Sequence, residues 1–595
     1  MLLRRKMDKL KIKSIINTAK GLESPDVAIL NGSVVDVTTG KIFKANVYLK
    51  EDRVAFVSED KYDVSGDNTL VIDASNMYVA PGFIDSHAHI ESSLMIPSLF
   101  GYLLLKEGTT TSIVDPHEVA NVAGIDAIKA MLSDMEISPI KFIIQVPTCV
   151  PPEPELETSG DVLNALKVKE LVEELMSSSV FAGLGEVMSY KKILEHDVDL
   201  SEKLKEAYEM GLVIDGHSAD IVGQELQAYA ASKISTDHCA RKGEEIIERL
   251  RSGLYVQIQR RRGESDFQKI VSTLREMPSV QRTMWCTDDA EADEIWLGEH
   301  TIRSVVKEAI ELSLDPIKAI QMATINVAQA YRVDSEIGLI APGRYADILI
   351  FKSIDKMDID SVLINGAVVF RNGKYLIGAP QPHTDLEKFK GNTLSISISL
   401  EPADLVPKAE PKSGSAVVNI LTVERTVTRD ILPINEGVVM ADSHRDIAWI
   451  CVINRYGKGG ISRGFIKGTG IKAGAFASSV SHDTHNIVII GTDINDMYRG
   501  FVEIQKSGGG MVFVNNGIVE SEVELPYFGL MSSDHTLPKK LLNLKEKLYA
   551  HGVKVPLKKL MFFTLTVGRG GYAITDKGLV DYKAKKTVPI ITGYV

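Results

Sequence analysis

The sequence predicts an α/β protein centred on a (β/α)8 TIM-like barrel, with a small β domain built from the segments flanking the barrel and a C-terminal α+β domain. Three observations predict it. Between Tyr78 and Asp289, eight short apolar runs alternate with longer segments whose apolar residues fall at helical spacing, the rhythm of buried parallel strands joined by helices. Short strand-like runs broken by Gly, Asn and Asp stand on both sides of that region. Beyond a polar stretch holding Pro402, Pro407 and Pro411, about 200 further residues remain, enough for another domain.

The elements follow in order. VAILNGSVVDV (27–37), ANVYLKEDRVAFV (45–57) and NTLVID (68–73) read as small antiparallel strands. The eight barrel runs are 78–87, 109–116, 141–150, 180–188, 212–218, 233–238, 254–259 and 282–289, with helical patterns such as GIDAIKAMLSDME and VKELVEELMSS between them. An open doubly wound sheet is the alternative for the same rhythm. After a helix around Asp315–Tyr331, strands resume in GLIAPGRYADILIF and DSVLINGAVVF and are expected to pair with the early group. The expected divisions are 1–79, an N-terminal segment with part of the small β domain; 80–335, the barrel; 336–392, the rest of the β domain; and 393–595, the C-terminal domain.

Composition narrows the function. Hydrophobic residues make up 44% and charged residues 25% of the 595, an ordinary globular balance that excludes a disordered or collagen-like chain. The net charge of −12, without a long basic block, argues against nucleic acid or an anionic membrane as partner. The N-terminal residues Arg4, Arg5, Lys6, Lys9, Lys11 and Lys13 are interleaved with apolar ones and do not form a signal peptide. No run approaches the roughly 18 apolar residues of a membrane helix. Cys149, Cys239, Cys286 and Cys451 contain no C-x-x-C spacing, so neither a disulfide framework nor a zinc ribbon is expected, and a cytoplasmic setting fits.

The chemistry concentrates at the predicted strand ends. In Pro81-Gly82-Phe83-Ile84-Asp85-Ser86-His87-Ala88-His89 the two histidines are two apart, so on a strand they project to the same side and can share a metal ion. Other strands end in Glu186, His217, His238 and Asp288. The carboxyl ends of barrel strands converge on one mouth, so His87, His89, Glu186, His217, His238 and Asp288 are expected to form a two-metal site with Glu186 able to bridge. GTGIKAG (468–474) and Gly508-Gly509-Gly510 match no phosphate-binding fingerprint and read as turns. His482-Asp483-Thr484-His485 reads as a metal-binding run or as a polar turn closing over the mouth. On the closing reading, removal of the chain from about 400 onward would abolish activity and leave the barrel folded. Arg260, Arg261 and Arg262 read as a solvated loop.

PGFIDSHAHIESS (81–93), GTTTSIVDPHE (108–118), GLGEVM (183–188), DGH (215–217), Asp237-His238 and CTDD (286–289) resemble the amidohydrolase superfamily and, more narrowly, adenine deaminases of the bacterial and archaeal type. SSVSHDTHNIVIIGTD (478–493) and LPYFGLMS (525–532) are similar to that family's extra domain. The resemblance implies hydrolytic deamination of adenine to hypoxanthine and ammonia, as in purine salvage, at two divalent ions, manganese first with iron or zinc as alternatives. Such ions make water a strong nucleophile near neutral pH. Asp288 is the candidate for taking the water proton, with Glu186 beside it. Glu91, Glu118 and His117 are candidates for gripping or protonating the purine ring, and Asp289 joins the substrate-binding set. The expected substrate is a free purine base, because the mouth is expected to hold few charges beyond its metal ligands. A homodimer is the expected assembly.

The chain also departs from that family. Cys239 follows His238 where the family usually has Glu, QIQRRRGES (257–265) lacks the usual pattern, and Ala290-Glu291-Ala292 replaces an Arg- and Pro-containing stretch. These changes leave two further readings: a metal-dependent amidohydrolase acting on a modified purine or cyclic amide, and a purine-binding paralogue with little turnover. The H-x-E and P-C-x-x-C signature of the zinc deaminases is absent.

Overall fold

A computed structural model describes every residue except 2, 4–6, 63–67, 179, 262–265 and 569, so Arg4, Arg5, Lys6 and Arg262 lie outside the described residues. Eight parallel strands form the central barrel in two arcs. Phe83–Ala88, Thr109–Val114, Lys141–Val146, Ala182–Val187 and Ile214–Gly216 make the first arc, and Thr236–Asp237, Tyr255–Gln259 and Thr283–Cys286 the second. A parallel bridge between Ala88 and Asp288 joins the last strand to the first. The strands are buried along their length, which is why they read as apolar runs without alternation.

The first expected strand, 78–87, is two strands. Tyr78–Pro81 belongs to the small β domain and Phe83–Ala88 to the barrel, with Gly82 between them. A Cβ on Gly82 would stand 2.1 Å from the Thr110 hydroxyl, so only glycine lets the chain pass from one sheet to the other here. Tyr78–Pro81 is also the seam of the small domain: it pairs antiparallel with Ile348–Ser353 and parallel with Val27–Asp36, merging the early and late strand groups into one nine-stranded sheet. The early group is therefore not wholly antiparallel, since Leu70–Asp73 also runs parallel to Val27–Asp36.

The C-terminal region is built on a ten-stranded mixed sheet flanked by the helices Ile494–Ser507 and Leu537–Ala550. The Pro-bearing stretch before it is packed, with Leu405 and Val406 fully buried in that region's core. Gly509 is one of the turn glycines, where a Cβ would approach Gly529 Cα to 2.3 Å. One hydrophobic core runs without interruption from barrel helices through Leu525, Tyr527, Phe528, Leu530 and Met531 to the helix Leu537–Ala550. Removing the C-terminal region would strip that face of its cover, contrary to the expectation that the barrel stays folded without it. Among the described residues, no helix is long and apolar enough to cross a membrane.

Candidate active site

The barrel mouth gathers all six side chains expected there. His87 and His89 project to one side from the end of the first strand, and their Nε2 atoms lie 3.1 Å apart. Each ring is fixed from behind: His87 Nδ1 lies 2.8 Å from Asp215 Oδ2, and His89 Nδ1 lies 3.0 Å from the Asp115 carbonyl oxygen. An acceptor behind each ring places the proton on Nδ1 and leaves a lone pair on Nε2. Two lone pairs therefore face each other across 3.1 Å, an arrangement that repels unless a cation stands between them. Asp288 Oδ1 closes this group, 3.3 Å from His89 Nε2 and 3.8 Å from His87 Nε2.

Glu186 carries the geometry to a second group. Its Oε1 is 3.3 Å from His89 Nε2, while its Oε2 is 2.9 Å from His217 Nδ1 and 3.2 Å from His238 Nε2. His217 Nδ1 and His238 Nε2 are themselves 3.0 Å apart. One carboxylate thus spans two sets of imidazole nitrogens. The donor set of neutral imidazoles and carboxylates, with its facing lone pairs, fits two divalent first-row ions.

Burial opposes the charge on both acids, yet positive charge on the surrounding imidazoles, whose place a divalent ion would take, outweighs it and holds the Glu186 and Asp288 carboxyls well below the usual carboxylate range. Asp288 Oδ2 is further held by the Gln259 side-chain amide and, at 3.3 Å, by Arg261. The Glu186 backbone N–H donates to Asp115 Oδ2 at 2.7 Å. That contact requires Gly185, since a Cβ there would come within 2.4 Å of the same oxygen.

A cavity of about 270 Å³ opens onto this cluster. His117, Glu118 and Asp289 line it, together with His482, Asp483, Phe562 and Phe563 from the C-terminal region. The run 478–486 therefore stands against the barrel mouth, with Asp483 Oδ1 3.7 Å from His117 Nε2. Glu91 does not line the cavity, contrary to its expected contact with the ring. It is buried, its Oε1 accepts the Val119 N–H at 3.2 Å, and burial followed by the nearby Glu118 carboxylate pushes its carboxyl upward.

The altered loops divide. Cys239 lines the cavity beside His217 and His238, and Arg261 also faces it. Ala290-Glu291-Ala292 lies away from the cavity wall, where Glu291 Oε2 pairs with Lys545 of the C-terminal region at 3.0 Å. Arg260 and Arg261 are not a freely solvated loop, because Arg260 pairs with Glu308 and Arg261 with Asp288. The mouth also holds more charge than expected, with Arg241, Arg261, Arg425, Lys559 and Glu424 in its lining. The supports Asp115, Asp215 and Gln259 lie within the runs 108–118, 215–217 and 257–265, but the sequence alone assigns them no role of their own. Asp215 and Gln259 sit on the same strands or strand ends as the metal-type residues and were open to the same strand-end argument.

Comparison with known proteins decides the family. The amidohydrolase family profile matches residues 78–369, and the adenine deaminase C-terminal domain profile matches residues 420–586. The adenine deaminase of Staphylothermus marinus is 33% identical over 97% of this chain and 97% of its own. Those of Thermosipho africanus and Desulforamulus reducens are each 34% identical, the first over 98% of this chain and 99% of its own, the second over 97% of both. The chain belongs to the adenine deaminase family. Within that family's frame, the profile for the barrel spans all six clustered side chains, and the profile for the C-terminal domain spans the His482 and Asp483 wall of the cavity.

Proposed function

We propose that the protein hydrolyses adenine to hypoxanthine and ammonia, as in purine salvage. The observation that carries the reading is the pair of facing imidazole lone pairs at His87 and His89, spanned by Glu186 to His217 and His238, in a chain matched end to end by adenine deaminases. His87, His89, Glu186, His217, His238 and Asp288 would hold the two ions, with the Glu186 carboxylate reaching both groups of imidazoles. Manganese is the first candidate, with iron or zinc as alternatives, since imidazole and carboxylate accept all three. When bound, such ions would activate the attacking water and polarise the ring amidine.

The chain's own residues supply the rest. The Asp288 carboxylate, oriented by Gln259 and Arg261, accepts the proton of the attacking water and passes it to the departing amine. His117 and Asp289, both on the cavity wall, hold the purine. Phe562 and Phe563 give the ring an apolar surface and exclude water.

A second reading rests on the cations in the cavity lining. Arg241, Arg261, Arg425 and Lys559 around one cavity suit a purine that carries an acidic substituent better than a neutral base alone. Ammonia release from adenine, adenosine and a carboxylate-bearing 6-substituted purine, compared on one Mn2+-loaded preparation, separates the readings. Fastest turnover of adenine supports the main proposal, fastest turnover of the acidic purine the second, and release from none of them overturns both.

A further inference from the structure

A second histidine–carboxylate cluster lies where the barrel meets the C-terminal region. Glu118 comes from the first turn of the helix that follows the second barrel strand; His482 and His485 come from the loop after the C-terminal strand Ala475–Ser478. His482 Nδ1 lies 3.2 Å from Glu118 Oε1, and His485 Nε2 lies 3.8 Å from Glu118 Oε2. One donor atom from each of the three falls within 4.8 Å of the others, and all three residues are buried. His482 thus faces one Glu118 oxygen and His485 the other, at separations near the roughly 3.3–3.4 Å between neighbouring donor atoms of a tetrahedral ion with bonds of about 2.0–2.1 Å.

The surroundings also require positive charge. Glu118 Oε2 and His485 Nε2 are buried without a hydrogen-bond partner, and so is Glu91 Oε2 nearby. Ser92 Oγ lies 2.9 Å from Glu118 Oε1 and 2.6 Å from Asp289 Oδ1, but a hydroxyl has one proton and can donate to only one of these carboxylates. The two carboxylate oxygens, Glu118 Oε2 and Glu91 Oε2, are acceptors whose burial is costly unless something pairs with them. His485 is held behind Glu118 by its own loop, with Nδ1 3.2 Å from the Ser481 backbone N–H, which directs Nε2 at Glu118. With Nδ1 accepting, a neutral His485 carries its proton on Nε2, so binding a cation there requires either the other tautomer or a small shift of the loop.

We propose that Glu118, His482 and His485 bind a third divalent cation, separate from the pair at the barrel mouth, that clasps the C-terminal region onto the barrel. Two imidazoles and one carboxylate suit Mn2+, Fe2+ or Zn2+. Glu118 and His482 also line the cavity, so the cation would stand in its wall.

Anomalous diffraction from crystals grown with excess Mn2+ tests the clasp directly. A peak within bonding distance of the Glu118 carboxylate, His482 Nδ1 and a His485 ring nitrogen is expected. Its absence, with Mn2+ present at the barrel mouth or not, overturns the proposal. Manganese counting on folded His485→Gln protein gives an independent reading, with the variant expected to hold one ion fewer per chain than the unaltered protein. Equal counts overturn the clasp. If the variant does not fold, the diffraction result decides alone. A clasp peak without peaks at the barrel mouth would support the clasp and overturn the two-ion reading of the active site.

Discussion

The barrel-mouth cluster draws its side chains from strand ends of a single domain, whereas the Glu118, His482 and His485 cluster exists only where two regions of the chain meet. In the first, His87 and His89 are each backed by a partner on the far side of the ring, and the backbone N–H of Glu186 is held by Asp115. In the second, His485 is backed only by its own loop, through the Ser481 N–H, and Glu118 Oε2 and His485 Nε2, which face each other from the two regions, have no hydrogen-bond partner. The difference teaches that a barrel can hold a ligand set by its strands and their neighbours alone, while a set shared between domains depends on how those domains are docked.

Four substitutions sharpen this contrast. Glu186→Gln has the largest expected effect, because it removes the negative charge that spans both groups of imidazoles. Metal content by mass spectrometry should fall together with ammonia release, and turnover should drop by about 10³-fold or more, within the range of essential acid or base groups. A variant that keeps two ions and full activity would show that the cluster does not depend on its central carboxylate.

Lys545→Met comes next and acts on the docking. Lys545 Nζ stands 3.0 Å from Glu291 Oε2 and 2.7 Å from Asp293 Oδ2, joining the helix Leu537–Ala550 to the barrel. Its removal leaves two buried carboxylates unpaired, at a cost of about 3 kcal/mol, measurable by denaturant unfolding. Unchanged stability would mean that the docked regions do not rely on this contact.

Asp215→Asn weakens the support of His87. Loss of such a partner commonly reduces metal affinity or activity by about 10- to 100-fold. Metal titration of the folded variant reads this, and unchanged affinity would remove Asp215 from the ligand-positioning role. Arg241→Ala should have the smallest effect, a rise of a few-fold in KM for adenine with kcat unchanged. A much larger loss with an acidic purine than with adenine would favour the second substrate reading.

Much of the active site was legible because period and position carry it. Buried parallel strands read as apolar runs, and residues at their carboxyl ends meet at one mouth, so His87, His89, Glu186, His217, His238 and Asp288 could be grouped before any distance was known. The split of the first run at Gly82 was not legible, since Tyr78–Pro81 and Phe83–Ala88 are equally apolar and differ only in the sheet they join. Nor was the partner of His482 and His485, because nothing local to residues 478–486 points to Glu118. The cationic wall was missed for the same reason: Arg425 and Lys559 lie far along the chain from the barrel and reach its mouth only through docking. Of the stretches that depart from the family, Cys239 lines the cavity beside His238, whereas Ala290-Glu291-Ala292 turns away to meet Lys545.

The central claim is that the barrel-mouth cluster deaminates adenine with Asp288 moving the proton. Its most direct test is ammonia release from adenine by Mn2+-loaded protein, measured beside Asp288→Asn at matched metal content. An amide cannot take up the proton, so the unaltered protein should release ammonia and the variant, while retaining most of its metal, should be slower by about 10²- to 10⁴-fold. Near-equal rates for the two proteins, or no ammonia from the unaltered one, would contradict the account.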